Sequence, residues 1–189
     1  FNQPEYYAQS SFGASFGYEW LTNEYTQHDL KLIRLDYVRL LQSSDRLEDL
    51  FEEGILDPES FADQLIFGPS YNIVYQPESP DYKPNYYLGA SVELSGNLLY
   101  AGYSLSGAEK DENGRFESSN VPFAQYTRGQ LDARIYLPVA EYTKLVLRQN
   151  VGVGVPYLNS STLPFAKQFF VGGASSLRGF QPREVGPGT

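Results

Sequence analysis

Cysteine and methionine are both missing from the 189 residues, and histidine and tryptophan occur once each. Without cysteine there is no disulfide scaffold, no thiolate nucleophile and no Cys-based zinc site. No apolar run approaches the roughly 18 residues a spanning helix needs, which excludes a helical membrane protein. The first residues lack the basic, apolar and small-residue regions of a signal peptide, and with no initiator methionine the chain reads as a piece of a longer precursor. Cations are scarce too: 14 Lys and Arg against 23 Asp and Glu leave a formal charge of −9. Much of that charge lies between Ser44 and Ile66, where Asp45, Glu48, Asp49, Glu52, Glu53, Asp57, Glu59 and Asp63 face Arg46 alone. No basic face is left to neutralise phosphates, so nucleic acid is not expected as a partner.

What is present is apolar matter in alternation: 41% hydrophobic and 15% aromatic residues, spaced largely by twos. Phe12, Ala14, Phe16, Tyr18 and Trp20 share one parity over Ser11, Gly13, Ser15, Gly17 and Glu19, the period of a strand and the length of a tilted membrane strand. From His28 to Leu41 the pattern resumes, but Leu30 and Leu32 have one parity and Ile33, Leu35 and Tyr37 the other, which predicts a bulge near Leu32-Ile33. Past it, Arg34 and Asp36 face together. His28, beside a turn, reads as a solvated residue rather than a ligand.

The acidic stretch reads as a helical excursion. Ser44 can cap a helix striped by Leu47, Leu50 and Phe51 and ended by Gly54; Asp57 caps a second with Pro58 at its first position, and Leu56 and Phe61 have staple spacing. Its acids read as a solvated face, without the spacing of a calcium loop. Strands follow at 65–76, broken near Pro69, and at 86–95, where the inner residues are small. Residues 96–122 read as a long loop with a turn at Asp111-Glu112-Asn113-Gly114. Residues 123–137 set Leu131, Ala133, Ile135 and Leu137 against Arg128, Gln130, Asp132, Arg134 and Tyr136, a pattern that suits a polar lumen. In the last strand Leu145, Leu147, Val151, Val153 and Val155 oppose Lys144, Arg148, Asn150, Gly152 and Gly154. Glycines on the inner face leave room for something to lie against that wall.

Six strands emerge, joined by connections that alternate short (22–27, 77–84, 138–142) and long (42–63, 96–122, 156 onward). Outer-membrane barrels place short turns in the periplasm and long loops outside. Six strands cannot close, and an open sheet would leave unpaired edges in lipid.

The chain then carries Phe169-Phe170-Val171-Gly172-Gly173-Ala174-Ser175-Ser176-Leu177-Arg178-Gly179-Phe180, followed by Gln181-Pro182-Arg183 and Gly186-Pro187-Gly188. Paired glycines and the prolines make it a loop, and one cation, Arg178, sits beside a glycine and an aromatic ring. Gly-Gly-x-x-x-apolar-Arg-Gly-aromatic resembles the signature of the outer-membrane assembly barrels, the superfamily of BamA, TamA and the two-partner secretion transporter FhaC. Leu177 stands where valine or isoleucine is commoner. The continuation looks most like BamA- and TamA-type members of Bacteroidetes.

The resemblance implies an all-β fold: a transmembrane antiparallel β-barrel, here roughly six of about sixteen strands, with long extracellular loops, one containing short helices. It implies one C-terminal barrel domain, residues 1–155 being strands and loops and 156–189 the start of a signature loop that docks in the lumen. POTRA domains and the remaining strands are expected outside the chain. The implied function is folding and insertion of client β-barrel proteins at the bacterial outer membrane of a Gram-negative cell. A two-partner secretion transporter, a passive porin or TonB-dependent importer, and a soluble β-sandwich are the competing readings. Implied partners are clients, outer-membrane lipid and accessory subunits, either lipoproteins or a periplasmic or inner-membrane protein; no cofactor, metal or catalysis is expected. The residues singled out are Gly172, Gly173, Leu177, Arg178, Gly179 and Phe180 of the loop, and Glu93, Arg128, Asp132, Arg134 and Arg148 as lumen-facing charges. The expected role of Arg178 is pairing with carboxylates on later strands, Asp132 and Glu93 being the candidates within this chain.

Overall fold

The computed structural model describes residues 2–3, 7–43, 45–52, 57–80, 82–173 and 176–180. Alternating sequence becomes one sheet, antiparallel except for one short parallel pairing among the described strands. A short β1 (Asn2–Gln3) pairs with β2 (Tyr7–Asn23), which turns tightly into β3 (Thr26–Ser43). Helices α1 (Asp45–Glu52) and α2 (Pro58–Phe61) follow, then β4 (Gln64–Phe67) and β5 (Ser70–Tyr75). These two are one strand broken at Gly68-Pro69; β4 pairs with the distal half of β3 and β5 with its proximal half. Next come β6 (Asn85–Ser95), α3 (Asn97–Ser106), β7 (Glu117–Ser118), β8 (Val121–Ala124), β9 (Tyr126–Ala140) and β10 (Thr143–Pro156). β5 pairs with β6, β6 with β9, and β9 with β10, all antiparallel. The sheet made by the described residues is open, with β2 and β10 at opposite ends.

The expected bulge is present: Phe16 pairs with Ile33 but Gly17 with Lys31, so Leu32 has no opposite number. A Cβ on Gly17 would run into the Leu30 carbonyl, so only glycine fits opposite the bulge. The bulge lets Leu32 and Ile33 both lie exposed and turns Arg34 and Asp36 to the same inner face as Lys31. Asp57 caps α2 as anticipated, its carboxylate accepting from the Glu59 N–H at 2.9 Å with Pro58 at the first position. The proposed Ser44 cap, the Leu47 and Leu50 stripe, Gly54 and Leu56 lie outside the described residues or side chains.

Two readings are corrected. Residues 96–122 are not all loop: α3 occupies Asn97–Ser106 between two left-handed glycines, Gly96 (φ 77°) and Gly107 (φ 68°). No side chain caps its N-terminus, so the usual start signal is missing. The Asp111–Gly114 turn follows it, Gly114 N–H donating to Asp111 O at 2.9 Å. His28 is not simply solvated. Its ring stacks on Trp20 at 4.8 Å, and its nitrogens meet Thr22 Oγ1 and the Tyr71 hydroxyl, each at 2.7 Å. These residues cluster on the outward face near the short-turn end, where an aromatic girdle belongs.

The outer face is aliphatic and open, with Leu88, Val92, Leu131, Ile135, Leu147, Val151 and Val153 all exposed. In water such a surface would demand a second layer; as a barrel wall it demands lipid. The buried core lies on the other side, where Val38, Ile66, Ala124 and Tyr126 meet Leu163 of the segment after β10.

Candidate functional site: the inner wall and its docked loop

The inner-face glycines of β10 decide where the chain goes after Pro156. A Cβ on Gly154 would overlap the Leu163 side chain, and one on Gly152 would overlap the Phe169 ring. The segment therefore lies flat along the inside of β10, filling the space those missing side chains leave. A single 3-10 turn at Phe165–Lys167 follows, and the Phe165 ring packs on Phe61 of α2 with centroids 4.2 Å apart.

Lys167 then meets two acids of the inner face. Its Nζ stands 3.3 Å from Glu93 Oε1 on β6 and 3.8 Å from Asp36 Oδ2 on β3. Arg34, whose side chain is only 9% exposed, joins the same two acids, at 2.7 Å from Glu93 and 3.2 Å from Asp36. Those two nitrogens lack the alignment of hydrogen bonds, so their attraction is that of ion pairs. The Tyr126 hydroxyl also donates to Glu93. Arg128 completes the clamp: its Nε donates to the Lys167 carbonyl at 3.0 Å, and its guanidinium lies 4.1 Å from the centre of the Phe169 ring. A cation over a partly desolvated ring contributes about 0.5–2 kcal/mol.

A second cluster lies lower on the wall. The Asp132 carboxylate takes two bonds from Arg134 (3.0 and 2.6 Å) and two from Arg148 on β10 (3.1 and 2.8 Å). Arg134 also lies over the Tyr87 ring at 4.5 Å. All five charged residues singled out in the strands thus face inward, divided between the two clusters. Sequence reading noted Arg34 and Asp36 only as co-facing and passed over Tyr126 and Lys167. Lys167 sits in a stretch without regular period, and nothing local signals its partners 74 and more residues away.

Beyond Phe169 the loop turns on its glycines. Gly172 (φ 107°), Gly173 (φ 89°) and Gly179 (φ 99°) hold backbone that side chains disfavour. Gly173 N–H donates to Phe180 O at 2.9 Å, closing the loop across the signature. Leu177, Arg178, Gly179 and Phe180 are exposed at this turn. The two acids weighed as partners for Arg178 are engaged elsewhere, Asp132 by Arg134 and Arg148, Glu93 by Arg34, Lys167 and Tyr126. Residues 174–175 and 181–189, including Pro182, Arg183 and Gly186-Pro187-Gly188, lie outside the described residues.

Residues 5–189 match the Omp85 superfamily domain. The chain belongs to the Omp85 superfamily. That places it among outer-membrane β-barrel proteins concerned with protein insertion or secretion. A Gly13-x-Ser15-x-Gly17 string in this Omp85 chain has the spacing of a hydrolase nucleophile elbow. It lies within extended β2, with Ser15 opposite Arg34, rather than on the strand-to-helix turn such chemistry requires.

The long loops of the domain are tied together above the lumen. Asn159, almost wholly buried, donates to the carbonyls of Phe116 and Phe123, both at 3.0 Å, and accepts from Phe116 N–H. Glu59 of α2 accepts from Ser161 and pairs with Arg115 at 3.6 Å. The α1–α2 excursion, the 107–120 loop and the start of the docked loop are therefore joined by these contacts.

Proposed function

We propose that this chain is the lumen-braced part of an insertase barrel that folds client β-barrel proteins into the outer membrane, without catalysis. The observation that carries this reading is the segment 157–173 held inside the sheet by ion pairs to β3 and β6 and by ring and carbonyl contacts to β9. A passive porin keeps a water-filled channel through its lumen. An insertase needs a barrel that stays intact while one seam opens to clients, and a loop tied to four strands away from that seam supplies the stiffness.

In this reading the turn bearing Arg178 extends the brace to anions on further strands. Accessory lipoprotein or periplasmic partners would act through domains preceding the barrel. The test is Arg178→Ala in the full-length protein. The expected result is lowered heat-modifiability of the barrel and reduced levels of several outer-membrane clients. Normal heat-modifiability and client levels would refute the role; loss of one exported protein alone would point to two-partner secretion.

A further inference from the structure

Helix α3 carries a stripe that the fold does not bury. Leu98, Ala101, Gly102 and Leu105 recur at i, i+3, i+4 and i+7, the spacing of a core-facing helix stripe. Yet Leu98 is 66% and Leu105 89% exposed, and nothing lies within 4 Å of where a Gly102 Cβ would stand. Packing runs through another face: Tyr100 and Tyr103 meet Phe116 with centroids 5.2 and 5.9 Å apart, and Tyr103 stacks on Phe123 at 6.0 Å. No residue from 97 to 108 is charged.

The side of the sheet on which α3 lies follows from register. Phe123 pairs with Leu65, and Leu65 alternates with the inward Ile66 of the inner core, so Phe123 faces outward. At the helix start, Asn97 accepts from the Tyr157 hydroxyl at 2.9 Å, and that oxygen is 3.0 Å from Thr127, which is out of phase with the inward Tyr126 and Arg128. The helix therefore packs on the outer wall. Its height follows from β6, which is 11 residues long; a tilted strand crosses the hydrocarbon in about 9–11 residues. α3 leaves the sheet one residue after β6 ends, at the boundary on the long-loop side.

We propose that α3 is an interfacial helix whose Leu98–Leu105 stripe is seated in the outer-leaflet lipid, at the junction of acyl chains and headgroups. The stripe continues the aliphatic outer face of the barrel without a charged interruption. The polar segment Glu109–Arg115 that follows marks the return to water. An uncharged, largely apolar helix with tyrosines beside it suits the headgroup level, where aromatic side chains concentrate.

The test uses the full-length protein, cysteine-free elsewhere, in phosphatidylcholine vesicles. Single Leu98→Cys, Leu105→Cys, Asn113→Cys and Leu131→Cys variants carry a fluorophore read against lipid nitroxides placed near the headgroup or deep in the acyl chain. Labels at 98 and 105 are expected to be quenched by the shallow nitroxide at least about twofold more than the label at 113, and the label at 131 by the deep one. Labels at 98 and 105 that behave like 113 while 131 is quenched would overturn the inference. So would labels shielded from soluble iodide yet unquenched by lipid, the mark of a protein partner. An unquenched label at 131 would remove the lipid boundary itself, and that failure is distinguished by its position.

Discussion

Glu93 is the residue on which the loop brace turns, and Glu93→Gln removes its charge while keeping its size. Its carboxylate faces Arg34 at 2.7 Å and Lys167 at 3.3 Å, and it also receives the Tyr126 hydroxyl. The side chains of Arg34, Glu93 and Lys167 are 9%, 12% and 21% exposed, so water does little to replace the lost partner. Breaking a buried pair by removing one member costs about 3–5 kcal/mol. Asp36 remains near both cations and is itself 28% exposed, so it recovers part of the loss. The net expectation is a destabilisation of about 2–3 kcal/mol, together with release of the loop. Two readouts report it in the full-length protein: the denaturant midpoint in lipid, and protease cleavage within 157–173. A double cycle with Lys167→Ala should show coupling of about 1 kcal/mol or more. An unchanged midpoint with unchanged cleavage, or effects that simply add, would refute the idea that this carboxylate holds the loop to the wall.

Two further outcomes follow from single contacts. Gly152→Val drives a side chain into the Phe169 ring and should destabilise by about 1–3 kcal/mol while exposing the loop to protease; adding Phe169→Ala should recover part of the stability but not the protection, since Arg128 then loses its ring. Asp111 titrates below its ordinary value of 3.8, first because its carboxylate accepts from the Arg115 backbone N–H at 2.7 Å and also because it pairs with the Arg115 side chain. A depressed value means that the order it confers is complete above about pH 4 and fades as pH falls through the lower folded value. Amide protection at 111–115, taken relative to the intrinsic exchange rate at each pH, should therefore be full at neutral pH and fall in acid, and Asp111→Asn should remove that pH dependence.

Much of the wall was legible in the residues themselves, because a strand's period of two depends only on backbone geometry. The parity of Phe12 to Trp20 or of Leu131 to Leu137 shows which face is apolar before any partner strand is known. The parity change at Leu32-Ile33 likewise located a bulge, and Asp57-Pro58 located a helix start, since each is a local conformational signal. Gly152 and Gly154 showed that the inner wall had room. They did not show that Phe169 and Leu163 fill it.

What escaped the linear reading depends on distance along the chain or on a missing cue. Helix α3 has no capping side chain and begins at a left-handed glycine, and its apolar stripe faces away from the protein, so neither caps nor burial announce it. Arg34, Glu93 and Lys167 have nothing in common until the register of β3, β6 and β9 and the path of the loop inside β10 set them together. By itself the sequence determined which residues face lipid and which face the lumen, because alternation is a property of each strand alone. Only the tertiary structure decided which charge meets which, because ion pairs form between segments that strand register and the path of the docked loop bring within a few ångströms.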